Sequence, residues 1–150
     1  MNVKTMAQYQ AEGTKPEILF WVGCAGSFDA RAQKVTKAFC EILTNLEISF
    51  AVLGNEETCT GDPARRAGNE FLFQMSAMQN IQTLDMYEVK KIVTTCPHCF
   101  NTLKNEYPKL GGNYEVIHHT KYLQGLLDEG KLQIEGGDFK GKKITYHDSC

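Results

Sequence analysis

The sequence predicts an α/β fold, an open parallel sheet of about five strands with helices on both faces and a ligand edge at the strands' carboxyl ends. Two observations predict it. Short β-rich runs alternate with amphipathic stretches of helical period, the order expected of a parallel sheet covered by helices. The first run, Ile18-Leu19-Phe20-Trp21-Val22, is continuously apolar, as a strand buried on both faces requires. With 150 residues, 42% of them hydrophobic, the chain is sized for one domain with a substantial core.

Residues 1–17 are polar, carry Gly13 and Pro16, follow neither period, and read as a flexible lead-in. The first strand runs from Ile18 to Gly23, with Cys24 at its carboxyl end. A helix from about Ala30 to Leu46 sets Val35, Ala38, Phe39, Ile42, Leu43 and Leu46 on one stripe. Cys40 lies beside that stripe and reads as a small core hydrophobe. A second strand, Ser49 to Leu53, runs into the loop Gly54 to Gly61, which carries Cys59. Asp62-Pro63 starts the next helix, a capping carboxylate ahead of a proline whose missing N–H costs nothing in the first turn. That helix extends to about Thr83 and turns Ala67, Phe71, Met75, Met78 and Ile81 toward the core.

Lys91 to Thr95 forms the third strand, closed by Cys96, and Cys99 opens the helix after it. Tyr114 to Ile117 forms the fourth, followed from Thr120 by a helix with Leu123, Leu126 and Leu127 inward. Gly136-Gly137 turns the chain into a fifth strand, Lys142 to His147, with Cys150 close behind.

A net charge of −2 with both signs interspersed leaves no basic stripe to track a phosphate backbone, which argues against a nucleic-acid partner. The longest apolar run is too short to span a bilayer, and the first residues form no secretory signal, so the expected location is cytoplasmic. In that reducing compartment six cysteines serve as metal ligands or redox groups before they serve as disulfides.

Their positions point to one site. Cys24, Cys59 and Cys96 each follow a different strand, and Cys99 lies one helical turn beyond Cys96, so a parallel sheet gathers four thiols at one edge. Soft thiolates select iron–sulfur clusters, zinc or copper(I), and four cysteines satisfy a cubane cluster. Cys99, placed at a helix N-terminus, is expected to have a lowered pKa. Ser27, Thr58, Thr60, Thr94 and Thr95 flank the four and are placed to donate to sulfur. His98, between two of the cysteines, and His118 and His119, after the fourth strand, are further candidates around the site. Arg65 and Arg66 are candidates to offset cluster charge or to meet an acidic partner.

Phe20-Trp21-Val22-Gly23-Cys24-Ala25-Gly26, Cys59-Thr60-Gly61-Asp62-Pro63-Ala64-Arg65-Arg66 and Cys96-Pro97-His98-Cys99 together resemble the cysteine-rich CCG domain. That domain occurs in the iron–sulfur subunits of heterodisulfide reductase, anaerobic glycerol-3-phosphate dehydrogenase, glycolate oxidase and lactate-utilisation complexes. The gaps of 34 residues between Cys24 and Cys59 and 36 between Cys59 and Cys96 suit its pattern. The resemblance implies a cluster, expected as [4Fe-4S], on Cys24, Cys59, Cys96 and Cys99. It also implies electron transfer within a multi-subunit oxidoreductase, between flavoprotein or ferredoxin-type subunits and a quinone or disulfide acceptor, with membrane contact only through partner subunits. Thr60 stands where the family has the second cysteine of a Cys-Cys pair, which favours an ordinary four-cysteine cluster over the noncubane type. Residues 18–141 would be a first copy, and Tyr146-His147-Asp148-Ser149-Cys150 resembles the opening of a truncated second one, making Cys150 a candidate ligand there.

Two other readings share these residues. Cys96-Pro97-His98-Cys99 also resembles the dithiol of thiol–disulfide oxidoreductases, which would leave Cys24 and Cys59 without a role. A Cys₄ zinc site would make the domain an interaction module, and zinc is an expected substitute in a recombinant sample.

Overall fold

A computed structural model describes residues 3–136 and 141–146. Four parallel strands, β1 (Ile18–Trp21), β2 (Phe50–Ala51), β3 (Lys91–Thr94) and β4 (Glu115–His118), form one sheet in the order β2-β1-β3-β4. β1 pairs with β3 through Leu19↔Ile92, Phe20↔Val93 and Trp21↔Thr94, and with β2 through Ile18↔Phe50 and Leu19↔Ala51. The chain thus leaves β1 toward one side and returns on the other, which opens a crevice at the carboxyl ends of β1 and β3.

The expected fifth strand is corrected. Residues 142–146 form no strand and are exposed, Ile144 at 68% and Tyr146 at 83%, so this run has neither a pairing edge nor an apolar face to cover. His147 and Cys150 lie outside the described residues, as does Gly137 of the expected Gly-Gly turn.

Alternation along β1 splits the core into two layers. Leu19 and Trp21 face one side with Ala51, Ile92 and Val116, while Ile18 and Phe20 face the other with Phe50 and Val93. The second layer is closed by helix α3 (Ala30–Asn45), whose Phe39, Cys40 and Leu43 are buried, and by α7 (His119–Asp128) through Leu123. Asp29 caps α3 by accepting from the N–H groups of Arg31 and Ala32 at 3.0 and 2.8 Å. Cys40 sits in the core as expected, whereas Val35 and Ala38 fall outside the buried stripe.

The first layer is closed by α1 (Met6–Ala11), by α5 (Glu70–Met86) and by the segment from Leu103 to Tyr107. Helix α1 corrects the expectation of a structureless lead-in: Thr5 and Gln8 form a reciprocal cap and Met6 inserts into the core.

The helix expected from Asp62 to Thr83 is two helices, and this turns most of its expected core face outward. A short α4 (Asp62–Arg66) is followed by Gly68 at φ 83°, and Asn69 then caps α5 by accepting from the Leu72 N–H at 3.0 Å. The break resets the helical phase, so Phe73, Ala77, Asn80 and Leu84 are buried, and of the expected core face Ile81 stays inside. Phe71 at 75%, Met75 at 55% and Met78 at 54% are exposed, against expectation, as is Ala67.

The new phase makes opposite demands on two neighbouring phenylalanines. Phe73→Ala is expected to cost about 3–5 kcal/mol in chemical denaturation, and Phe71→Ala no more than about 0.5 kcal/mol. The reverse order would restore the uninterrupted helix.

Candidate metal centre

All four predicted cysteines line one cavity of about 340 Å³ at the β1/β3 crevice, together with Trp21, Gly23, Ala25, Thr58, Thr60, Asp62, Pro63 and His98. Cys24 reaches it on a short helix that follows β1 at once, α2 (Gly23–Phe28). Gly23 opens that helix at φ 76°, and a Cβ there would stand 3.5 Å from the Cys99 sulfur. Glu57 holds the same turn from the neighbouring loop, its carboxylate accepting the N–H groups of Val22 at 3.0 Å and Gly23 at 2.6 Å. Burial pushes the Glu57 carboxyl up to about 7, although both N–H donors pull it down.

Cys59 is carried by a loop tied down from two sides. The Asn80 amide, fully buried on α5, donates to the Cys59 carbonyl at 2.9 Å and to the Tyr107 hydroxyl at 3.1 Å, and accepts from Thr58 at 2.8 Å. Tyr107 in turn donates to the Thr60 carbonyl at 3.1 Å, and burial holds its hydroxyl above the ordinary range, so it stays protonated as a donor. Gly61 closes the loop at φ 87°, where a Cβ would meet the Phe73 ring at 2.9 Å.

Cys96 and Cys99 flank the start of helix α6 (Pro97–Asn101). Cys96 is the capping residue, its sulfur accepting from the Cys99 N–H at 3.5 Å. A hydrogen bond from the Cys99 thiol lowers the Cys96 thiol to about 5, helped by the backbone N–H groups of Cys99 and His98 and by the His98 ring, against burial. Cys99 is pushed up instead, by the same bond to Cys96 and then by burial. The expectation of a lowered Cys99 is therefore corrected, because the cap position goes to Cys96 and Cys99 is buried in the core.

Of the five flanking hydroxyl residues, buried Thr60 reaches one of the four sulfurs, donating to Cys99 over 3.9 Å. Thr58 serves Asn80, Thr94 accepts from the Cys96 N–H at 3.3 Å, and Ser27 caps the Gly23 carbonyl at 3.0 Å. The Gly61 N–H donates to the Cys59 sulfur at 3.4 Å.

Asp62, expected as a helix cap, is the first residue of α4 and points inward instead. Its carboxylate accepts from Arg66 and Thr102 and faces the His98 Nδ1, each at 3.2 Å. Arg65 pairs with Glu106 at 3.1 Å and Glu70 at 3.6 Å, and Arg66 also pairs with Glu106, so both arginines are engaged inside the domain.

The other histidines stand apart from the cavity. His118 bonds the Thr95 carbonyl at 3.1 Å and the Thr120 hydroxyl at 2.8 Å, and His119 packs edge-on against Phe39. Burial lowers the pKa of His119, with neighbouring His118 adding to the effect.

Among the described residues, no three His, Cys, Asp or Glu side chains close on a single point as ligands of one ion would. The thiols rim the cavity, Cys24 and Cys59 exposed, Cys96 half-buried and Cys99 buried. A second cavity, of about 550 Å³, adjoins the first at Cys24 and Cys59 and is lined also by Ser27, Phe28, Asn55 and Glu57. Sequence reasoning missed Glu57, Asn80 and Tyr107. Asn80 alone carried a signal, a polar residue on the buried face of α5, hidden by the mistaken helical phase.

Comparison with known proteins places the chain among cysteine-rich domains. The profile of the CCG cysteine-rich domain matches residues 18–104. The chain is 49% identical over 139 residues to the EtfAB:quinone oxidoreductase of Syntrophomonas wolfei, a match covering 93% of this chain and 19% of that protein. It is 47% identical over 149 residues to the probable iron-sulfur-binding oxidoreductase FadF of Bacillus subtilis, covering 99% of this chain and 21% of that protein. A more distant relative is one of the polypeptides of the dihydromethanophenazine:CoB--CoM heterodisulfide reductase of Methanosarcina barkeri. It is 33% identical over 142 residues, covering 91% of this chain and 34% of that polypeptide. The chain thus spans about a fifth to a third of the length of these relatives. No solved structure matches it.

Two measurements probe this geometry. Asn80→Ala strands the Cys59 carbonyl and the Thr58 and Tyr107 hydroxyls, and is expected to cost about 1–3 kcal/mol in urea unfolding; an unchanged midpoint contradicts the clamp. In the metal-free, reduced protein at neutral pH, alkylation mapped by peptide mass is expected at exposed Cys24 and Cys59 and at half-buried Cys96, whose thiol is lowered, well before Cys40. Cys40 is buried and its thiol is pushed up to about 11, so it stays protonated. Equal rates at Cys40 and Cys24 contradict this placement.

Proposed function

The chain belongs to the cysteine-rich CCG domain family, and on that premise we propose that it holds an iron–sulfur cluster on Cys24, Cys59, Cys96 and Cys99 and serves as an electron-transfer domain of a larger oxidoreductase. One observation carries the proposal: four cysteines from three separate strand ends line a single cavity. The donor set fits such a cluster. Four soft ligands satisfy a cubane, expected as [4Fe-4S], and a cavity rimmed by thiols suits a multi-iron body better than one ion.

When bound, the cluster supplies a site that gains and releases one electron. The chain's residues do the rest. Thr60 and the Gly61 N–H donate to ligand sulfurs, a means of stabilising the reduced, more negative state. Asn80 and Tyr107 hold the Cys59 loop, and Glu57 holds the turn that presents Cys24.

The names of the relatives, joining EtfAB to a quinone and naming a heterodisulfide reductase, support a place between a flavoprotein or ferredoxin-type donor and a quinone or disulfide acceptor. The cavity beside exposed Cys24 and Cys59 would give a partner access to a cluster held by these residues. No helix among the described residues is long and apolar enough to cross a membrane. Residues 142–150 fit the opening of a second copy of the motif, with Cys150 as its first ligand.

A second reading, dithiol–disulfide exchange, draws on the lowered Cys96 thiol beside buried Cys99. Anaerobic reconstitution with iron and sulfide separates the two. The proposal expects about four irons and four sulfides per chain, lost in each of Cys24→Ser, Cys59→Ser, Cys96→Ser and Cys99→Ser and kept in Cys40→Ser. A chain that binds no iron, and whose disulfide exchange survives the Cys24 and Cys59 substitutions, would overturn it in favour of the dithiol.

A further inference from the structure

The cavity holds one donor without a partner. Trp21 ends β1, is fully buried, and lines the four-cysteine cavity, yet its Nε1–H makes no hydrogen bond. Two other buried side-chain atoms among the described residues make no hydrogen bond, His119 Nδ1 and Glu106 Oε2, the latter ion-paired with Arg65, and neither residue lines the cavity. The remaining polar side chains at this wall are engaged: Thr58 with Asn80, Thr60 with Cys99, Asp62 with Arg66 and Thr102.

An indole N–H can only donate, and buried tryptophans ordinarily find an acceptor. Trp21 belongs to the buried apolar cluster that also holds Leu19, Phe73, Ala77 and Leu103. A group bound in the cavity that Trp21 lines would supply the missing acceptor. Thiolate and sulfide sulfurs accept hydrogen bonds, and their acceptor strength grows when the cluster takes up an electron.

We propose that the Trp21 Nε1–H donates a hydrogen bond to a sulfur of the bound cluster, bridging sulfide or ligand thiolate, and raises its reduction potential. This rests on the cluster reading above. Trp21 is thereby a tuning residue and not a ligand, which distinguishes it from the cysteines in any test of iron content.

The chain contains a single tryptophan, so indole ¹⁵N labelling reports on this position alone. In the full chain, reconstituted anaerobically and reduced by one electron, electron–nuclear double resonance is expected to show an ¹⁵N hyperfine coupling. Trp21→Phe keeps the ring's bulk and removes the donor. It is expected to retain iron and sulfide at the wild-type ratio while its reduction equilibrium shifts about tenfold toward the oxidised cluster, about 59 mV downward for one electron. A loaded wild-type cluster without ¹⁵N coupling overturns the hydrogen bond and leaves the cluster reading intact, as does an unchanged potential in loaded Trp21→Phe. If Trp21→Phe does not fold, the labelled wild-type chain decides alone. A chain that takes up no iron overturns both.

Discussion

Parallel pairing of β1 with β3 is the constraint on which the site depends. Its register sets Trp21 opposite Thr94, so the residues that follow each strand emerge side by side: the turn bearing Cys24 and the turn bearing Cys96 and Cys99. β2 pairs on the far side of β1, which leaves the crevice open between the β1 and β3 ends and brings the Cys59 loop back across it. A slip of one residue in this pairing would exchange the faces of Leu19 and Phe20 and so bury the wrong half of the strand in each layer. The two-layer core therefore fixes the register, and the register fixes the distance between the cysteine-bearing turns.

Polar groups sunk beneath the crevice then locate the cysteines more finely than the strands can. Asn80 is buried on α5, three and seven residues after Ala77 and Phe73, and all three belong to the face turned toward the sheet. Packing the apolar pair thus delivers the amide to the Cys59 carbonyl. Phe73 also backs Gly61, the residue whose left-handed conformation lets the loop turn over α5. Burying Asn80, Tyr107 and Asp62 is tolerable because each finds partners, and those partners are the backbone and side chains around Cys59 and Cys99. Stability and site geometry are consequently carried by the same contacts.

The architecture was legible in the sequence because it rests on local patterns: apolar runs at Ile18 and Lys91, the amphipathic stripe after Ala30, and cysteines just beyond three strands. The break at Gly68-Asn69 was equally visible as letters, but its consequence was not. Asn69 begins a new helix whose phase follows from packing Phe73 on the sheet, and the methionines that look like a core stripe end up outside. Lys142 to Tyr146 has the composition of a strand, yet composition does not supply a neighbouring edge. At the site the convergence of the four cysteines was readable from their placement after the strands, whereas Glu57, Tyr107 and the Trp21 donor depend on what lies opposite them across the crevice. The same holds for acidity: the Cys96 cap and the burial of Cys99 together reverse the expectation drawn from the helix end alone.

X-ray absorption at the iron edge of the anaerobically prepared chain tests the central claim most directly. One cluster on four thiolates predicts an all-sulfur first shell with iron–iron scattering beyond it. A first shell of oxygen or nitrogen, or iron without an iron neighbour, would contradict it.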